Sequence, residues 1–430
     1  MSRGFKCLSC SYLAANITPF ICILCFALNS LVNCQLRTDL TSSNNAVSKS
    51  RAKGWPQSTI QAAKAQSDRH FESHGAKWPS SQFTSAVSEA AWSYTHTAVL
   101  STSQQAHGST HSVVLMAMTN DLAMQSTVPL FLQSLRSIRL PDSPNPHQSL
   151  VDILAMICFS HFTETSCREH GLSSRCVLDK DVQLGNHSLP SQSVGFRMIG
   201  FAKVKYILNT IALGHDVIFM DTDVVAFKDF LPYILGLGSD IAAMVEKCMV
   251  IDDKASYTGH NLPALYRPQP ACCKCMVIDD KASYTGHNLP ALNIGITYFR
   301  SSPGVTRCVH SWLYDMWREV VTRPLIWDQD VFRKVMQVCT KNFGVRLQAF
   351  SPRSLNSYCF KYCGCLYSEE DVLIKMGEDL RPIHHFSTNK SCPASVVQSW
   401  LLMHFPCGGE TLHKARLMQQ YYQMHSNIQH

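Results

Sequence analysis

Asp221 and Asp223 stand one residue apart at the end of the apolar run 217–220 (VIFM). Two carboxylates so placed at the end of an extended strand reach one cation through oxygen ligands, and a cation held there would neutralise a diphosphate. The competing reading is a helix cap, in which either aspartate accepts from the next turn. A D-x-D triplet alone is common by chance, so its weight depends on where the chain carries it.

The surrounding pattern supplies that context. HSVVLMAMTND (111–121) is a continuous apolar run with a polar end, the pattern of a buried parallel strand. Residues 128–138 read as a helix, 151–160 (VDILAMICFS) as a second strand and 174–181 (SRCVLDKD) as a third. GFAKVKYILNTIAL (200–213) repeats apolar residues at helical spacing, and Gly214 is a C-cap candidate. The strand 215–225 that carries Asp221 and Asp223 follows. Strands alternating with helices indicate an α/β fold with a mostly parallel sheet, in which ligands bind at the carboxyl ends of strands.

With 46% hydrophobic and 16% charged residues, the 430-residue chain is not a disordered one. Its net charge of +7 comes without a clustered basic run, which argues against a nucleic-acid partner. The 19 cysteines point to an oxidising compartment, and their spacing lacks the paired pattern of a zinc site, so disulfides are expected. Cys359, Cys363 and Cys365 cluster near Cys392 and Cys407.

No charged side chain lies between Lys6 and Arg37. Residues 1–11 read as a cytoplasmic tail and 12–34 as a signal-anchor helix, oriented by Arg3 and Lys6. A cleaved signal peptide is the alternative. Either places the bulk of the chain in the secretory pathway. The sequons at Asn186 and Asn389 then become acceptors, whereas the one at Asn16 would lie in the membrane. The expected location is the Golgi membrane, single-pass type II, with the catalytic domain in the lumen. Residues 35–108, rich in Ser, Ala, Gln and Thr, read as a stem, and 109–425 as the folded domain. Within 247–292, KCMVIDDKASYTGHNLPAL occurs twice at an offset of 27 residues, 247–265 and 274–292. Two identical copies signal a very recent duplication or a transcript error, with one copy surplus to the fold.

Several motifs in a fixed order make the pattern specific. GFAKVKYILNTIALGHDVIFMDTDVVAFKDFLPYI, then LNIGITYFRSS (292–302), then WDQDVFRKVM (327–336) resemble the nucleotide-diphospho-sugar transferases of glycosyltransferase family 77. The resemblance runs from about His111 to Met418. It implies a Rossmann-like GT-A domain behind the anchor and stem, and retaining transfer with a divalent cation, Mn²⁺ in the usual case. Asp221 and Asp223 would hold the ribose side and the metal. Lys203 would meet the nucleotide or its phosphates, unless it is an ordinary solvated helix lysine. Asn293 and Gly295 would form the floor near the donor sugar, unless Gly295 is only a packing glycine. Asp328 and Gln329 would face the donor or acceptor sugar, with a helix cap as the alternative. MHFPCGGETLHKARLM (403–418) is similar to a segment in which His404 completes the metal site and Gly408 and Lys414 meet the diphosphate. His384-His385 is a rival metal ligand.

The resemblance implies a UDP-linked xylose, galactose or arabinose donor and a cell-wall glycan or glycoprotein acceptor. Two other classes compete. A haloacid-dehalogenase-like phosphatase also uses D-x-D after an apolar strand, but there that strand usually opens the domain. A disulfide-rich sugar- or nucleotide-binding module without activity would tolerate the duplication.

Overall fold

The structure, a computed structural model, describes residues 80–96, 109–140, 145–182, 194–245, 292–319, 323, 326–358, 394–406 and 410–429, with single positions at 58, 61 and 65. The tail, the anchor at 12–34, most of the stem and the duplicated segment up to residue 291 lie outside the described residues. So do the three sequons, His384-His385, Gly408 and the cysteine cluster. Among the described residues no helix is long and apolar enough to cross a membrane.

The elements begin with α1 (Ser81–Ala90), β1 (Trp92–His96), β2 (Ser109–Thr119), α2 (Asp121–Gln125) and α3 (Thr127–Arg136). Next come β3 (Leu154–Cys158), α4 (His161–Cys167), β4 (Cys176–Leu178) and α5 (Val194–Ala212). Then follow β5 (Asp216–Met220), β6 (Val224–Ala226), α6 (Leu231–Gly236), β7 (Ile241–Val245) and β8 (Leu292–Phe299). The rest are α7 (Pro303–Glu319), α8 (Asp328–Asn342), β9 (Leu347–Ala349), β10 (Leu355–Ser357), α9 (Ala394–Gln398), β11 (Leu402–His404) and α10 (Thr411–Gln429).

The architecture is mixed α/β around a parallel-rich sheet of order β4-β3-β2-β5-β8-β7-β9, with β1 added antiparallel to β2. The pairs β4/β3, β3/β2 and β2/β5 are parallel, whereas β8 runs antiparallel to both β5 and β7. Both faces are covered by apolar clusters, which is why β3, β5, β7 and β8 are buried along their whole length. A second sheet, β10-β11-β6, sits beside the carboxyl edge of the first. Gly214 ends α5 with φ +93°, the left-handed turn a glycine adopts freely. α5 begins at Val194, a turn and a half before the apolar repeat at 200–213.

Two disulfides occur among the described residues, Cys167–Cys176 and Cys308–Cys339, the second joining α7 to α8. Cys158 is free, and burial pushes its thiol up to about 12.

Residues 80–96, assigned above to the stem, are built into the sheet. α1 buries Phe83, Ala86, Val87 and Ala90, and β1 pairs with β2 from Trp92↔Val113 to His96↔Ser109. Tyr94 explains the attachment: its hydroxyl donates to Asp216 Oδ2 at 2.7 Å, beside that of Tyr298 at 2.8 Å. The Ser301 N–H donates to Asp216 Oδ1 at 2.7 Å. One buried carboxylate thus ties three distant segments together. Tyr94→Phe deletes one donor to that charge and is expected to cost about 1–3 kcal/mol, read as a lower denaturation midpoint.

His425 in α10 stacks on Phe227 with ring centroids 4.4 Å apart. Burial, and then Lys228, push its imidazole down to about 4 from 6.5. The folded state therefore prefers the neutral ring. Its contribution is complete above pH 6.5 and is lost as the pH falls towards 4, because the unfolded chain takes up the proton first. With solvent screening allowed for, the loss is about 1–2 kcal/mol. His425→Phe should flatten that part of the stability–pH curve.

Candidate metal and diphosphate site

β5 ends at Met220, and the chain turns through Asp221, Thr222 and Asp223 into β6. A strand follows rather than a helix, so neither aspartate is a helix cap. The turn is pinned by its main chain. Asp221 N–H donates to Gly295 C=O at 2.7 Å, and Phe405 N–H donates to Asp223 C=O at 2.9 Å. Pairing of β11 with β6 sets His404 opposite Val224. This brings a residue 181 positions along the chain from Asp223 onto the aspartates.

Asp221, Asp223 and His404 each offer a ligand atom, and these atoms lie within 4.8 Å of one another. His404 Nε2 is 3.6 Å from Asp221 Oδ2 and 3.2 Å from Asp223 Oδ1. The second approach lacks the alignment of a hydrogen bond, and buried Asp223 Oδ1 has no donor. The other oxygen of each carboxylate is occupied by a lysine. Lys203 Nζ lies 3.0 Å from Asp221 Oδ1, and Lys414 Nζ lies 2.7 Å from Asp223 Oδ2. One oxygen per aspartate and one imidazole nitrogen therefore converge, undonated, on a common point. That donor set of two carboxylates and one imidazole fits a divalent cation.

The two aspartates differ electrostatically. Burial raises Asp221 above the usual carboxylate range despite Lys203 and His404, and the charge of Asp223 adds to the rise. At Asp223 burial also pushes upward, but Lys414 and then His404 outweigh it and hold the carboxyl well below that range.

Lys203 is not a solvated helix lysine. It is 6% exposed, and its ammonium sits 4.6 Å over the Phe219 ring and 3.5 Å from Asp328 Oδ2. Asp221 and then Asp328 raise its pKa against the opposing effect of burial. Asp328 is the first residue of α8 rather than its cap, a position that Trp327 takes. Asp328 Oδ1 accepts the Gln329 N–H at 2.9 Å, and the Asp328 carbonyl accepts the Trp312 indole N–H at 2.9 Å. Gly200 makes room for this carboxylate: a Cβ there would stand 3.1 Å from Asp328 Cγ. Asn293 is buried, and its Oδ1 accepts the Gly295 N–H at 2.8 Å.

Asp221, Asp223, His404, Lys203, Lys414, Asp328, Asn293 and Gly295 are thus brought together, with Gln329 next to Asp328; Gly408 lies outside the described residues. Sequence reasoning passed over Asn120 and Asp121, which follow β2 at the same sheet edge. Asn120 Oδ1 caps α2 by accepting the Ala123 N–H at 2.9 Å, and Asp121 accepts the Ser160 hydroxyl. The polar end of the run at 111–121 was the available signal.

No curated protein matches the chain. Among solved structures, the galactosyltransferase LgtC in complex with donor and acceptor sugar analogues is similar at 11% identity and a TM-score of 0.36, covering 72% of this chain and 95% of that one. Mouse xyloside xylosyltransferase 1, in its apo form, is similar at 13% identity and a TM-score of 0.35, covering 69% and 98%. The family model described as nucleotide-diphospho-sugar transferase matches residues 150–418, more than half of the sequence and the whole span from β3 to the middle of α10. The chain belongs to the nucleotide-diphospho-sugar transferases.

Proposed function

We propose that the protein is a metal-dependent, retaining glycosyltransferase of GT-A type that moves a pentose or hexose from a UDP-sugar to a cell-wall glycan or glycoprotein. The observation that carries this reading is the convergence of Asp221, Asp223 and His404 within 4.8 Å at the carboxyl edge of a parallel-rich sheet. Strand order reverses between β2 and β5, which is where open α/β sheets bind their ligands. The nucleoside would lie in that crevice, near Asn120 and Asp121. Asp221, Asp223 and His404 would hold a divalent cation, Mn²⁺ being the expected one, and that ion would supply charge neutralisation for the departing diphosphate.

The chain's own residues do the rest. Lys414 stands beside Asp223, near enough to share its ammonium between that carboxylate and a phosphate oxygen. Lys203 keeps Asp221 and Asp328 in register. Asp328 and Gln329 would orient the donor sugar or the acceptor. In the transfer, the bond from the anomeric carbon to the diphosphate oxygen breaks and a bond to an acceptor hydroxyl oxygen forms on the same face. The hydroxyl proton leaves to the diphosphate. Oriented charge, rather than an assigned protein nucleophile, stabilises this step.

The apolar segment at 12–34 supports anchoring as a type II Golgi membrane protein, with this site in the lumen. A panel of UDP-sugars with Mn²⁺, read as donor hydrolysis, transfer and nucleotide-induced stabilisation, tests the reading. Folded protein that neither turns over nor binds any of them would favour an inactive binding module.

A further inference from the structure

The N-x-G stretch of β8 meets both the D-x-D turn and His404. The register of β7 against β8 breaks in the middle: Ala243 faces Thr297, but the next residue, Met244, faces Asn293. Residues 294–296 therefore bulge out of the β7 pairing, while Ile296 still pairs with Met220 of β5. Gly295 sits in the middle of that bulge. Its N–H donates to Asn293 Oδ1 at 2.8 Å, and its C=O accepts the Asp221 N–H at 2.7 Å. Both of its main-chain groups are spent, one on its own strand and one on the first aspartate of D-x-D.

The third side of Gly295 is filled by His404. A Cβ on Gly295 would lie 2.1 Å from His404 Cε1 and 2.6 Å from each ring nitrogen. No left-handed φ is involved at this position, so space rather than conformation demands glycine. His404 is 2% exposed, and β11 is held on both sides by β10 and β6, with the His404 carbonyl accepting Tyr358 N–H at 2.8 Å. Its main chain has no freedom to carry the ring away from an added methyl group.

We infer that Asn293 and Gly295 are positioning residues: the bulge is a seat that fixes the His404 imidazole against the aspartates and the Asp221 main chain beneath them. This rests on the metal reading of the site, and gives a reason for glycine at 295 that needs no sugar contact.

The experiment is a double-mutant cycle of Gly295→Ala and His404→Ala in the otherwise unchanged full-length protein. It is read by unfolding of the metal-free protein and by Mn²⁺ titration with electron paramagnetic resonance. Gly295→Ala should weaken Mn²⁺ binding about 10–100-fold and remove the nitrogen hyperfine coupling of an imidazole ligand. In the His404→Ala background the same alanine should change Mn²⁺ affinity by less than about 2-fold and cost no further stability. If Gly295→Ala alone fails to fold, recovery of folding in the double variant supports the seat. Failure of both variants to fold, an equal stability cost in both backgrounds, or a retained nitrogen coupling would overturn it. Should the wild type bind no Mn²⁺, the metal reading fails on its own, and the stability cycle still decides whether Gly295 serves His404.

Discussion

Asp223→Ala is expected to reduce metal-dependent sugar transfer by about 100- to 10,000-fold, equivalent to about 3–5 kcal/mol of transition-state stabilisation, while the chain stays folded. The asymmetry follows from where Asp223 makes its contacts. Its main chain holds the turn through Phe405, and that hydrogen bond survives loss of the side chain. Against the upward push of burial, Lys414 and then His404 hold its carboxyl well below the usual carboxylate range. Removing it strips the site of its firmest negative charge and of the one buried oxygen without a donor. Lys414 is 19% exposed in its side chain and can return to water, so the stability cost should be only about 1 kcal/mol. Asp223→Asn separates shape from charge and should lose nearly as much transfer. Transfer still stimulated by Mn²⁺ to within about tenfold of wild type would show that this carboxylate is not a principal ligand.

The parts that were legible in the sequence are those whose signal is local. The apolar runs of β2 and β5 are long and end in polar residues, and the Gly214 stop is a single-residue signature. The D-x-D turn was visible because it closes such a run. What was missed depends on residues far apart. α1 hides in Ser- and Ala-rich composition, since Ala86 and Ala90 bury little area and the stretch reads as linker. Tyr94 finds Asp216 from 122 residues away, with nothing nearby to announce it. The reversed direction of β8 was equally silent, because LNIGITYF is apolar throughout and a fully buried strand carries no mark of its direction. Between His404 and the rival pair at 384–385 the choice could not be made from residue type; β11 pairing places His404 in the site, and the rival pair lies outside the described residues.

Lys203 is the case where residue type misleads most, and its replacement should have the largest effect on stability. A lysine on a helix is ordinarily solvated, yet this one is closed in by Phe219, Asp221 and Asp328. Lys203→Met keeps the length of the stem and removes the charge, leaving the nearly buried Asp328 carboxylate and the partly exposed Asp221 carboxylate without their shared cation. Breaking a buried pair in this way is expected to cost about 3–5 kcal/mol. The ammonium also joins the two halves of the site, Asp221 at the D-x-D turn and Asp328 at the start of α8. Its loss should let these halves drift, so transfer should fall even where the variant is folded. Because its carboxylate partners raise its pKa, the stabilisation it provides is complete below 10.5 and is lost only as the pH rises through the folded value. Adding Asp328→Asn to Lys203→Met removes one of the stranded charges and should restore part of the stability without restoring transfer. A denaturation midpoint for Lys203→Met equal to wild type would mean that the ammonium is solvated, and the link between Asp221 and Asp328 would fall with it.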